Sequence, residues 1–111
     1  MGIRVRVIRN GDGRKPKTGD VVTIHYTGRL TNGTIFDSSV MKGTPFTFRI
    51  GLGQVIRGFD QGLSQMSTGE IAQLTISSDL AYGVKGTQGI PPNSTLIFEI
   101  EVLSIQQNPD Y

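Results

Sequence analysis

Five stretches of this chain alternate apolar and polar residues by twos, and that pattern leaves room for little except a sheet with one dry face. Ile3, Val5 and Val7 alternate with Arg4 and Arg6, and Phe46, Phe48 and Ile50 with Thr47 and Arg49. Val22, Ile24 and Tyr26 share one side of a run whose other side carries Val21, Thr23 and His25. Ala72, Leu74 and Ile76 interleave with Gln73 and Thr75, while Leu96, Phe98, Ile100 and Val102 interleave with Ile97, Glu99 and Glu101. Successive side chains of a strand point to opposite faces, so each run buries one face and wets the other. Antiparallel sheets tolerate a solvated face, whereas parallel ones are covered on both. Turn signals separate the runs at Asn10-Gly11-Asp12-Gly13, Asn32-Gly33 and Ser67-Thr68-Gly69.

One segment follows a different period. In VIRGFDQGLSQM the apolar residues Ile56, Phe59, Leu63 and Met66 recur three and four apart, which is one face of a helix. Gly58 and Gly62 each weaken such a helix by about 1 kcal/mol relative to alanine, so it needs a sheet to hold it. The expected fold is α+β: a curved five-stranded antiparallel sheet wrapped around one short helix. At 111 residues the chain is expected to be a single domain over 1–111, with a polar tail fraying from residue 106.

Composition removes several classes of chemistry. There is no cysteine and a single histidine, which excludes disulfides and thiolate sites and argues against a histidine metal centre. No apolar run is long enough for a signal peptide or a membrane span, so the expectation is a cytoplasmic protein without a membrane partner. The net charge of +2 owes much to Arg4, Arg6, Arg9, Arg14, Lys15 and Lys17. No aromatic interleaves with them, so they read as a solvated face and no nucleic acid is expected.

Acid–base machinery is equally thin. Ser38 and Ser39 lack a histidine partner, because alternation points His25 away from the Tyr26 face. Gly51-Leu52-Gly53 lacks the remaining glycine and the lysine of a phosphate loop. What stands out is an aromatic set, Tyr26, Phe36, Phe46, Phe48, Phe59, Tyr82 and Phe98, with Tyr82 in the loop segment SSDLAYG. A tyrosine ring seeks burial and its hydroxyl a partner, which makes Tyr82 a candidate ligand contact.

Four ordered motifs join these residues: GDVVTIHYTGRL, NGTIFDSS, GQVIRGFDQGLSQM, and LAYG followed by GIPPNSTLIFEIEVL. Through them the chain resembles, over nearly its whole length, the single-domain FKBP-type peptidyl-prolyl cis-trans isomerases, immunophilins that bind tacrolimus and rapamycin. The resemblance implies a proline pocket walled by Tyr26, Phe36, Phe46, Val55, Ile56 and Phe98, with Phe59 as floor and Ile90 among the ligand-binding residues. It implies that Asp37 sits at the rim on a hydrogen bond to Tyr26. The Ile56 N–H and the Tyr82 hydroxyl would bind ligand carbonyls. Tyr26, Asp37, Tyr82 and Phe98 would carry catalysis. It further implies proline-containing peptides and clients as substrates, no cofactor or metal, a monomer, and drug-dependent engagement of calcineurin or the TOR kinase. The chain departs from the family pattern at Phe59, commonly tryptophan, at Lys42, often arginine, and in a short loop over 86–92. The alternative is a non-catalytic docking module that keeps the same pocket.

Overall fold

The computed structural model describes residues 2–108. Six strands form one antiparallel sheet: β1 (Ile3–Arg9), β2 (Val21–Leu30), β3 (Ile35–Ser38), β4 (Phe46–Arg49), β5 (Ile71–Ile76) and β6 (Leu96–Gln106). The order across the sheet is β1-β5-β6-β2-β3, with β4 also paired to β2. That is one strand more than alternation suggested, and the register explains it. β3 pairs with Thr27–Arg29 of β2 and β4 with Val21–Ile24, so the two segments occupy successive stretches of the same edge. The edge is interrupted by α1 (Ser39–Lys42), a single helical turn. Ser38 caps it by accepting a hydrogen bond from the Met41 amide at 3.2 Å. Gly43 ends it at φ 75°, a left-handed conformation that glycine adopts without a Cβ penalty.

The inner face carries the apolar set that alternation marked. Val22, Ile24, Leu74, Ile76, Leu96, Ile100 and Val102 are all fully or almost fully buried. Only the first half of β1 keeps the pattern, because Val7 and Ile8 are exposed where the strand bulges before Arg9. The helix α2 (Arg57–Leu63) lies across this face. It is shorter than its apolar periodicity implied; Met66 lies beyond its end yet is completely buried. Its glycines are what let it approach the sheet. A Cβ on Gly58 would stand 2.3 Å from Ile76 Cγ2, and one on Gly62 2.6 Å from Leu74 Cδ1. The helical propensity lost at these positions is the condition for contact between α2 and β5.

The tail expected to fray from residue 106 is tied at its start. Gln106 closes β6, and the Asn108 amide donates to Asp20 at 3.0 Å while Arg49 donates to the Asn108 side chain at 3.1 Å. Residues 109–111 of that expected tail lie outside the described residues.

Candidate functional site

Where α2 meets the split edge of the sheet, six aromatic residues line a cavity of about 370 Å³. Phe59, on the buried face of α2, packs its ring 4.6 Å from that of Phe98 on β6 and 5.8 Å from Tyr26 on β2. Tyr26 in turn meets Phe46 edge-on at 5.9 Å, and Phe98 meets Phe36 edge-on at 5.5 Å. Edge-to-face packing of this kind adds stabilisation beyond the area buried and fixes ring orientation. Phe36 comes from β3 and Phe46 from β4, so the cavity opens at the break between those two strands. Val55 and Ile56, just before α2, complete the wall. Gly28 of β2 makes the arrangement possible: a Cβ there would stand 2.6 Å from Phe36 Cζ and 2.7 Å from Phe98 Cε1.

Polar groups stand only at the rim. The Tyr26 hydroxyl donates to Asp37 Oδ2 at 2.7 Å, and Lys42 Nζ lies 2.9 Å from Asp37 Oδ1. Burial, reinforced by the adjacent Asp37 carboxylate, raises the Tyr26 phenol well above its ordinary value. Burial also works against ionisation of Asp37, but the hydrogen bonds from Tyr26 and Lys42 outweigh it and hold the carboxyl below the usual range. Tyr26 therefore stays protonated and Asp37 ionised across the neutral range. Two donors at the mouth are unmated: neither the Tyr82 hydroxyl nor the Ile56 backbone N–H makes a hydrogen bond among the described residues.

Of the residues expected in the site, Tyr26, Phe36, Asp37, Phe46, Val55, Ile56, Phe59, Tyr82 and Phe98 line this one cavity. Ile90 does not. Its side chain is buried in the core beneath the loop after β5, and its backbone pairs with Thr87. Lys42 lines the cavity with the expected residues, as does Gln54, which sequence reasoning missed. The Gln54 side chain accepts a hydrogen bond from the Arg49 amide at 2.9 Å, an arrangement with no periodic signature. Against the expectation that Ser39 lacks a histidine partner, His25 Nδ1 lies 2.8 Å from the Ser39 hydroxyl; the pair sits on the opposite face of β2, and neither residue lines the aromatic cavity. No cluster of histidine, aspartate and glutamate able to hold a metal occurs among the described residues, and no helix is long and apolar enough to cross a membrane.

A cavity so built takes up a compact apolar group and holds the carbonyls beside it, with no group placed to move a proton. Comparison with known proteins gives that class its family. Residues 12–103 match the model of the FKBP-type peptidyl-prolyl cis-trans isomerases. A peptidyl-prolyl cis-trans isomerase of Schizosaccharomyces pombe is 56% identical over 95% of this chain and 96% of its own. FK506-binding protein 1 of Dictyostelium discoideum is 50% identical over 96% of this chain and all of its own. Peptidyl-prolyl cis-trans isomerase Fkbp12 of Drosophila melanogaster is 53% identical, again over the whole of its own length. The chain belongs to the FKBP-type peptidyl-prolyl cis-trans isomerase family. Isomerisation of X-Pro peptide bonds is therefore its activity.

Proposed function

We propose that the aromatic cavity is where the X-Pro bond rotates, and that tacrolimus (FK506) and rapamycin occupy the same space. The observation that carries this reading is an apolar box with two unmated donors at its mouth. Phe59 forms the floor for the proline ring, while Tyr26, Phe36, Phe46, Val55, Ile56 and Phe98 form the walls. The Ile56 N–H and the Tyr82 hydroxyl receive substrate carbonyls, and Asp37 stays at the rim, oriented by Tyr26 and Lys42. Tyr26, Asp37, Tyr82 and Phe98 together form the catalytic surface.

The chemistry suits such a box. Rotating an amide meets a barrier of about 18–20 kcal/mol because resonance is lost, but no proton moves and no bond breaks. Uncatalysed exchange takes roughly 10–100 s, so a gain of about 10⁴-fold asks for some ~5 kcal/mol of differential binding. Transfer of the amide from water into an apolar enclosure disfavours its planar, polar form relative to the twisted one. Donors fixed at the mouth hold the flanking carbonyls while the bond turns.

The reading extends to a single isomerase domain over residues 1–111 that assists folding of proline-containing clients as a cytoplasmic monomer. Its drug-bound face is taken to engage calcineurin or the TOR kinase. The exposed apolar residues Met41, next to Lys42 in the chain, and Val84, two residues after Tyr82, support that last point. The decisive test is a protease-coupled isomerase assay on an X-Pro peptide with and without rapamycin. Catalysis abolished by stoichiometric drug is expected; catalysis that persists with drug bound would place the reaction elsewhere.

A further inference from the structure

The turn that delivers Tyr82 to the pocket is held by contacts that begin at the far edge of the sheet. Tyr82 follows a single 3-10 turn (Ser78–Leu80) that leaves the end of β5. The residue opening that turn, Ser77, is clamped on two sides. Its amide donates to Gly2 O at 2.9 Å, while the Gly2 amide donates to Ser77 Oγ at 2.9 Å. The hydroxyl's own hydrogen goes to Asp79 Oδ1. From there the backbone closes on Tyr82: the amides of Ala81 and Gly83, on either side of it, both donate to Ser78 O, at 3.0 and 2.8 Å. The Tyr82 ring is exposed and its hydroxyl has no partner among the described residues, so its place is set by this backbone and not by packing.

We infer that Asp79 is a positioning residue for the pocket: by fixing the Ser77 hydroxyl it locks the turn to β1 and sets where the Tyr82 hydroxyl stands. Asp79 does not line the cavity. Its carboxyl is held below the usual range, first by the Ser77 hydrogen bond and to a smaller degree by the charge of Arg57. The inference rests on the assignment of Tyr82 as a ligand donor, and the test separates the two.

Dissociation constants for tacrolimus are measured by titration for the wild type, Tyr82→Phe, Asp79→Ala and the double variant. Asp79→Ala is expected to weaken binding about two- to tenfold, the range of one lost neutral hydrogen bond. It should add nothing once the Tyr82 hydroxyl is gone, because a group that acts through another shows full coupling in a double-mutant cycle. Asp79→Asn and Ser77→Thr, which keep an acceptor and a donor in place, should stay within about twofold of wild type. Asp79→Ala that is silent, or equally harmful with and without the Tyr82 hydroxyl, overturns the inference alone. Tyr82→Phe that binds tacrolimus unchanged overturns the ligand assignment and the inference with it.

Discussion

Tyr82 and Phe59 sit at opposite ends of the pocket, and substitutions at each should read out differently. Tyr82→Phe removes one neutral hydrogen bond and should weaken drug binding by about 0.5–1.5 kcal/mol with little change in melting temperature. Phe59 is buried in the core and also lines the cavity, being 5% exposed and packed on Phe98 and Tyr26. Phe59→Ala should therefore cost about 3–5 kcal/mol in chemical denaturation and weaken binding as well. Phe59→Trp adds volume to a filled site at a cost of about 1–3 kcal/mol, but supplies an indole to a chain that has none. Its emission should shift when rapamycin binds. The pH dependence divides the same way. With Tyr26 raised, Asp37 lowered and His25 on the other sheet face, kcat/KM should be nearly flat between about pH 6 and 8. A bell centred near neutrality and lost in His25→Ala would contradict the mechanism. Asp37, held below the ordinary carboxylate range, contributes stability that is complete above the unfolded-state value and lost as pH falls through its native value. Acid unfolding should accordingly be less steep in Asp37→Asn. Most of these residues were legible because strand alternation puts Tyr26 and Phe98 on the buried face and motif resemblance supplies the remainder. Gln54 was not, since a loop side chain that bonds a backbone amide leaves no pattern.

At the scale of elements, alternation announced five of the six strands, because each has one face on the core. The short β3 was the one lost. Ile35 and Phe36 adjoin without alternating, and Ile35 is 40% exposed, so no period of two marks them. The one-turn α1 was invisible for a related reason: four residues are too few to show a helical period, and Val40 and Met41 are exposed. The glycines of α2 read as helix weaknesses from sequence, yet they set the spacing to β5. Gly58→Ala should gain about 1 kcal/mol of helical propensity and lose about 1–3 kcal/mol to overpacking against Ile76, for a net loss of stability in urea. Gly28→Ala makes the matching test on the sheet side. Displacement of Phe36 and Phe98 should weaken drug binding more than it lowers the melting temperature, measured on the same preparation.

The molecule as a whole should respond to drug as one unit, because the pocket draws on β2, β3, β4, α2 and β6 together. Rapamycin at about 100 times its dissociation constant adds some 2.7 kcal/mol to the native state, which should raise the melting temperature by on the order of 10 °C. A shift confined to a minor transition would mean that the pocket belongs to a part that melts separately. The strand order carries one more consequence. β6 is the last strand in the chain and lies between β5 and β2, so it alone joins β1 and β5 to β2, β3 and β4. A nascent chain emerging from the ribosome therefore holds two sheet fragments with no ladder between them until residues 96–106 are clear of the exit tunnel. Until then the inner faces of both fragments are open to water and to chaperones. The two fragments can join into one sheet only once residues 96–106 are in place, so a protein that speeds a slow isomerisation completes its own sheet with β6.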